Sequence, residues 1–389
     1  MPKLSTRTET FTDSVIRRMT RVSLKYGAVN LSQGFPDFEP PRMLLDRLAE
    51  VPNENVHQYS LTWGAKNFRA ALAEKQTRFM GHPVDPEKEI VVTCGSTEAM
   101  MAAMMTVANP GDKVIVFSPF YENYGADTIL SGAEPIYVPL VPPTYDFDPD
   151  VLEDAFRQHP KALILCNPSN PCGKVFTRAE LEFIATLAER YDTFVITDEV
   201  YEHIVYAPHK HVYFATLPGM CERTISCSSL SKTYSITGWR LGYTIACPEI
   251  TDRIMKVHDF LTVGAPAPLQ EAVIPGLQAG QDYYDGLLKT YTHKRDLFVG
   301  GLKSMGLDCT NPQGAYYVLM DVSEFGFKDD LEFCEILARD VGVGTVPGSS
   351  FFREPVNHLI RFHFAKKDET LYDALNRLES IREKIPARK

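Results

Sequence analysis

The chain has 389 residues, 44% of them hydrophobic and 23% charged, with a formal net charge of −10. That length accommodates two domains, or one large domain with a smaller one beside it, and the composition is that of a soluble globular protein. The negative balance argues against general affinity for nucleic acid or acidic membrane surfaces, though not against a local basic pocket.

No apolar run approaches transmembrane length, and residues 1–19 lack the apolar core of a signal peptide, so a cytoplasmic protein is expected. The eight cysteines (Cys94, Cys166, Cys172, Cys221, Cys227, Cys247, Cys309 and Cys334) form no Cys-x-x-Cys pair. Reduced, buried thiols are expected.

In chain order, residues 1–30 read as an extended arm followed by a short amphipathic helix over 15–26. The segment LSQGFPDFEPP, 31–41, holds Gly34 and three prolines and is an ordered loop. Helical spacing runs over 41–51 and, after a loop with Tyr59 and Gly64, over 65–79. From Glu89 the pattern is strand, loop, helix, repeated. Strands are expected at 90–93, 113–119, 134–140, 162–166, 193–199, 223–229 and 243–247. Helices follow Gly95, cover 150–158, and run to Tyr191 from a capping box of Thr177 and Glu180. Short apolar strands alternating with amphipathic helices imply an α/β fold, a mostly parallel sheet sandwiched by helices.

After Asp282 the character changes. A long polar helix over 283–305 leads to an antiparallel-looking strand in GAYYVLMDVS, a helix at 329–340, a Gly-rich turn, the strand LIRFHFA at 359–365 and a last amphipathic helix. With the N-terminal arm these read as a smaller α+β domain. The expected division is 1–44, arm and part of the small domain; 45–285, large domain; 286–389, small C-terminal domain.

In a parallel α/β sheet, sites gather beyond the carboxyl ends of the strands. The polar residues there make a short list. Gly95-Ser96-Thr97 opens a helix, where free N–H groups and positive partial charge suit a phosphate; alternatively Ser96 or Thr97 only caps the helix. Tyr121, after Phe120, either stacks on a planar ring or belongs to the core. Asn167-Pro168-Ser169-Asn170-Pro171 is a turn in which the Asn170 amide can donate to a phenolate oxygen. Asp198 ends an apolar strand and is costly to bury unpaired. A protonated pyridine nitrogen suits it as a partner, with Tyr201 able to reach the same ring's O3′. The other reading has Asp198 and Glu199 facing solvent.

The stretch TISCSSLSKTYSITGWRLGY, 224–243, runs from an apolar strand into a Ser-rich loop carrying Lys232. Desolvation lowers a lysine pKa, and a lysine that loses its proton easily can form a Schiff base. Arg240, with Ser229 and Ser231, offers charge and donors for a phosphate. An aldehyde for the lysine and a phosphate for the arginine point to pyridoxal 5′-phosphate. The alternative is a solvated loop with a surface lysine and arginine. Arg361 in LIRFHFA either grips a carboxylate bidentately or is an edge-strand charge.

The order of these groups, with the segments SQGFPDF, HQYS, NPSNPCG, ITDEVYEHIVY, SSLSKTYSITGWRLGY and LIRFHFAKK, resembles the class I/II aminotransferases, pyridoxal-phosphate enzymes of fold type I. The resemblance covers almost the whole chain. SQGFPDF, HQYS and VHDFLTVGAPAPLQ look most like the methionine/kynurenine/glutamine aminotransferase branch. The resemblance implies Lys232 as the lysine bonded to the cofactor, Asp198 on the pyridine nitrogen, and Tyr201 with Asn170 on O3′. It places Ser96, Thr97, Ser229 and Arg240 on the phosphate and Tyr121 on the ring. Arg361 would take the substrate α-carboxylate, with Gly34 and Asn170 beside it. Tyr59 would reach into a neighbouring subunit's site, so a homodimer with shared active sites is implied.

The implied activity moves the amino group of an L-amino acid to a 2-oxo acid in a ping-pong cycle. Where some aspartate-preferring relatives place a lysine, this chain has Ser96, which argues against aspartate by that route. Phe35, Tyr59, Trp63 and Tyr121 favour neutral, sulfur-containing or aromatic donors. A C–S β-lyase acting on cysteine conjugates would use the same fold and cofactor residues and remains an alternative, as does aspartate transamination with another arginine. The Gly342–Gly348 stretch has the wrong spacing for nicotinamide binding. A metal site of His203, His209 and His211 is not expected, because the loop is polar and reads as exposed. A ligand-sensing regulator would need a DNA-binding module for which no segment is long enough.

Overall fold

The computed structural model describes residues 2–9, 11 and 14–388. Residues 1, 10, 12 and 13 of the expected N-terminal arm lie outside that range. Helix α1 (Val15–Tyr26) starts behind Ser14, whose side chain accepts the Arg17 N–H, and stops at Gly27 in the left-handed region. The short strand β1 (Val29–Asn30) and the irregular 31–41 loop lead to α2 (Arg42–Glu50) and α3 (Lys66–Met80).

The α/β repeat then unrolls as β2 (Ile90–Thr93), α4 (Ser96–Val107), β3 (Lys113–Ser118), α5 (Asn123–Leu130), β4 (Glu134–Val141), β5 (Asp146–Phe147), α6 (Pro149–Phe156), β6 (Ala162–Cys166), α7 (Arg178–Arg190), β7 (Phe194–Asp198), β8 (Thr224–Ser229), β9 (Gly242–Ile245) and α8 (Pro248–Thr262). The eight strands form one sheet in the order β2-β9-β8-β7-β6-β3-β4-β5. The pairs from β4 through β3, β6 and β7 to β8 are parallel. β9 runs antiparallel to both β8 and β2, and β5 antiparallel to β4. The β8–β9 reversal has a covalent reason. A parallel return needs a crossover, usually a helix, and residues 230–241 carry only a 3-10 turn.

Alternation along the strands sends one set of side chains to each face. Ile115, Phe117, Leu163, Leu165 and Val195 pack with α6 and α7. Val114, Val116, Ile164, Ile196 and Ile225 pack with α4 and α8. A sheet buried on both faces has continuous apolar strands, which is why these segments stand out in the sequence.

The chain continues as α9 (Ala267–Ala272), α10 (Ile274–Leu277), the long α11 (Gln281–Ser304), β10 (Tyr317–Asp321), α12 (Asp330–Ile336), β11 (Val343–Gly344), β12 (Val346–Pro347), β13 (Leu359–His363) and α13 (Asp368–Leu378). β10, β13 and β12 make an antiparallel sheet with β13 in the centre, and β11 pairs in parallel with β1. The expected Gly-rich turn at 342–348 therefore carries two short strands. Gly344 is needed there because a Cβ would overlap the Ser23 hydroxyl of α1.

Candidate active site

β7 ends on Asp198, which is 5% exposed. Its Oδ2 accepts a hydrogen bond from the Tyr124 hydroxyl at 2.7 Å and its Oδ1 one from the Val200 N–H at 3.4 Å. Burial pushes the Asp198 pKa up, with Tyr124, the Val200 N–H and the charge of Lys232 working against it. Among the described residues no cation forms a salt bridge with it. The reading that set Asp198 and Glu199 in solvent is overturned, since both are buried.

β8 delivers the loop that carries Lys232. The ammonium donates to the Gly34 carbonyl at 3.1 Å and lies 5.9 Å from the centroid of the Tyr316 ring. Burial pulls its pKa down from 10.5 to about 8; Asp198 opposes this, while Arg240 and Arg361 add to it. Lys232 is half-buried and bonded to the Gly34 carbonyl, so the solvated-loop alternative fails for the lysine, while Arg240 is exposed as that alternative had it.

Arg361 sits on the central strand β13, not at an edge, and is 1% exposed. Its Nη1 donates to Asn170 Oδ1 at 2.9 Å and its Nη2 to the Ser32 carbonyl at 2.8 Å. The guanidinium lies between the Tyr317 and Phe351 rings, 4.3 and 4.5 Å from their centroids. Its Nε is buried and has no partner among the described residues. The bond to Arg361 occupies the Asn170 oxygen and leaves the amide nitrogen to donate elsewhere. Tyr201 shares a 2.8 Å hydrogen bond with the Tyr317 hydroxyl. Gly34 is a glycine by necessity, since a Cβ there would overlap that same hydroxyl.

Ser96 and Thr97 lie in the first turn of α4. Neither caps it: the N-cap is Gly95, φ +85, with no side-chain cap. Arg240, itself left-handed at φ 55, donates through Nη1 to the Thr237 carbonyl at 3.0 Å and through Nη2 to the Cys94 carbonyl at 3.1 Å. A Cβ on Gly95 would strike the guanidinium, and one on Gly242 would strike the Gly95–Ser96 backbone. Ser229 pairs in register with Gly242, which pairs in turn with Thr93. The loop after β2, the end of β8 and Arg240 thus converge around a helix N-terminus. Ser231 is buried, and its N–H donates to the Ser229 hydroxyl at 3.3 Å.

Tyr121 is half-buried, edge-on to Tyr124 at 5.9 Å, and burial raises its pKa. Tyr59 stands apart from these groups and is 86% exposed. The histidine loop departs from expectation. The His203 and His211 side chains are only 5% and 6% exposed. Rings explain it: His203 packs between Phe79 and Tyr284, both at 4.5 Å, and His211 against Tyr213 at 4.5 Å. No group of three or more potential metal ligands exists among the described residues.

Sequence reasoning missed Tyr124 and Tyr317. Tyr124 lies on α5, whose NYGADTIL carries too little apolar periodicity to stand out. Tyr317 is one of a tandem tyrosine pair, and only the pairing of β10 with β13 shows that it meets Arg361. Together the site offers a buried carboxylate with no salt bridge among the described residues, an amine whose pKa is lowered to about 8, a buried guanidinium whose Nε has no partner among the described residues, and an uncapped helix start beside an arginine. Such a set suits a ligand with a positive ring nitrogen, a carbonyl and a phosphate, together with a carboxylate.

A family model described as "Aminotransferase class I and II" matches residues 26–378. The methionine aminotransferase of Escherichia coli K12 is 36% identical over 369 residues, covering 95% of this chain and 96% of that protein. Human kynurenine–oxoglutarate transaminase 1 is 32% identical over 386 residues, covering 90% and 92%. An Escherichia coli crystal structure reported with a methionine aminotransferase function superposes with a TM-score of 0.94 at 35% identity, covering 98% of this chain and all of that one.

Proposed function

The chain belongs to the class I and II aminotransferases, pyridoxal-phosphate-dependent enzymes, and we propose that it transaminates neutral, sulfur-containing or aromatic L-amino acids through the residues that line the site just described. The observation that carries this reading is the convergence of Lys232 and Asp198: an amine bonded to the Gly34 carbonyl with its pKa lowered to about 8, acting electrostatically on a buried carboxylate that forms no salt bridge among the described residues.

The residues fit the cofactor. Asp198 would hold a protonated pyridine nitrogen, relieving a buried charge that otherwise has one phenol and one N–H for company. Tyr201 and the Asn170 amide would donate to the phenolic oxygen. Ser96, Thr97, Ser229 and Arg240, with the N–H groups of α4, would hold the phosphate. Tyr121 would cover the ring. When bound, pyridoxal phosphate supplies an aldehyde and an electron-withdrawing ring.

The chain's own residues then do the following. Arg361 seats the α-carboxylate of the amino acid, with Gly34 leaving room beside Tyr317. Lys232 Nζ, readily uncharged near pH 8, would take the proton from the Cα of the first amino acid and, in the second half, deliver a proton to the Cα of the new one. Exchange proceeds in two halves, the first 2-oxo acid leaving before the second enters.

We further assign the divisions 1–44, 45–285 and 286–389, a cytoplasmic setting and a homodimer. Among the described residues no helix is long and apolar enough to cross a membrane. The loop at Thr62 meets the end of α8 through the His258–Thr62 hydrogen bond. Both segments show large apolar side chains to solvent, Tyr59 and Leu61 on one and Phe260 on the other. Tyr59 would cross from there to the partner's site.

Purified protein mixed with single amino acids and no acceptor tests the donor preference. Methionine, kynurenine and glutamine are expected to yield one equivalent of 2-oxo acid, with aspartate slower. Preference for aspartate overturns the substrate reading. A second measurement concerns the amine itself. Acylation of Lys232 in cofactor-free full-length chain, followed by mass spectrometry, should rise as pH passes about 8, because the charged form below that value does not react.

A further inference from the structure

Behind the phosphate cup lies a pair of charges that the transamination residues do not use. His258 on α8 is fully buried. Its Nδ1 meets Glu98 Oε1 at 2.6 Å and its Nε2 meets the Thr62 carbonyl at 2.8 Å. Nε2 faces a carbonyl and donates; with Glu98 ionised, as its lowered pKa favours, Nδ1 donates too, and the pair is an imidazolium on a carboxylate. Glu98 is fully engaged. Oε1 also takes the Thr262 hydroxyl at 2.7 Å, and Oε2 takes the Cys94 N–H at 2.5 Å.

That last bond matters for the cup. Cys94 precedes Gly95 and Ser96, and its carbonyl accepts from Arg240. The Cys94 residue is therefore fixed at both ends, by Glu98 through its N–H and by the phosphate-facing arginine through its C=O. Thr62, on the far side of His258, belongs to the loop that bears Tyr59. One buried relay thus joins the Tyr59 loop, α8, α4 and the phosphate cup.

We propose that Glu98 and His258 are positioning residues that set the Cys94–Ser96 turn for the cofactor phosphate and tie it to the Tyr59 loop, so that cofactor retention depends on His258 keeping both its protons. This rests on the assignment of the cup to the phosphate. The charged and titratable groups facing the pair are Asp259 on the same helix, the Cys94 thiol and, beyond it, Arg240. Burial works against the His258 charge, yet Glu98 and the Thr62 carbonyl outweigh it and raise the pKa above 6.5. Burial likewise works to raise Glu98, but His258, the Cys94 N–H and Thr262 leave it below its ordinary value.

The probe is pyridoxine 5′-phosphate, which has no aldehyde and so leaves Lys232 chemistry aside. Its dissociation constant is measured by calorimetry on full-length protein from pH 6.5 to 9.5, for wild type, His258→Gln, Glu98→Gln and Arg240→Ala. Both relay variants should bind about tenfold more weakly at the acid end. The ratio of variant to wild type should shrink as pH rises through the raised His258 value, where the wild type loses the same proton. A ratio within twofold throughout, or a penalty constant with pH, overturns the proposal. Wild-type Arg240→Ala affinity would instead overturn the cup assignment itself. Ring nitrogen NMR on wild type decides the matter even if a variant does not fold: His258 must be doubly protonated at pH 7, and a neutral ring ends the proposal.

Discussion

Asp198, the last residue of β7, and Glu202, four residues on in the turn that follows, are both buried, and their surroundings push them in opposite directions. Glu202 is saturated. Lys75 donates to it at 2.9 Å, Tyr213 at 2.7 Å, and Gln76 and Tyr243 at 3.3 Å each. Burial works against its charge, but Lys75 and His203 hold it well below the usual carboxylate range. Asp198 has Tyr124 and one long N–H contact, and burial raises it. One carboxylate is complete within the fold and the other is left needing a partner. The lesson is that burial alone does not mark a functional charge; burial without compensation does.

That contrast can be broken by mutation. Lys232→Ala should cost the most, a loss of about 10⁴-fold in transamination measured by 2-oxo acid formation, with an unchanged melting temperature. Near-normal turnover would remove Lys232 from the chemistry. Arg361→Lys should lower kcat/KM for the amino acid by about 10–100-fold, mostly through KM, because a point charge replaces a two-pronged grip. On the saturated side the currency changes. Lys75→Met alone should destabilise by about 3–5 kcal/mol in denaturant unfolding, since it strands Glu202. The double variant Lys75→Met, Glu202→Leu should recover much of that, with transamination per folded molecule within a few-fold of wild type. If activity falls with the double variant while stability holds, the network is part of the site rather than its footing. The smallest effect is expected of Tyr124→Phe, a loss of about threefold in kcat, as Asp198 surrenders its one short hydrogen bond.

Much of this was legible beforehand because strand periodicity and turn chemistry are local. The strands at 90–93, 113–119 and 162–166, and the Thr177–Glu180 capping box, fall where the sequence puts them. The strand-end rule also brings the loops of Asn170, Asp198 and Lys232 to one edge of the sheet, but it does not supply Arg361, which meets Asn170 from the middle of β13 in the other sheet. What escaped was long-range. The reversal of β9 depends on the missing crossover helix, and the β11 and β12 pieces are visible only through their partners on β1 and β13. His203 and His211 sit in a polar segment, and the rings that bury His203 lie far away on α3 and α11. The Glu98–His258 contact spans 160 positions, and nothing local to either residue announces the other.

The guanidinium of Arg361, sandwiched by two rings and shut off from water, was dehydrated once, when the chain folded. If Arg361 takes the α-carboxylate as proposed, an arriving anion need shed only its own hydration shell. Selection then falls on ionisation rather than size: formate or acetate from a buffer should compete for the seat, while an amino acid amide or ester, unable to neutralise the cation, should be turned away.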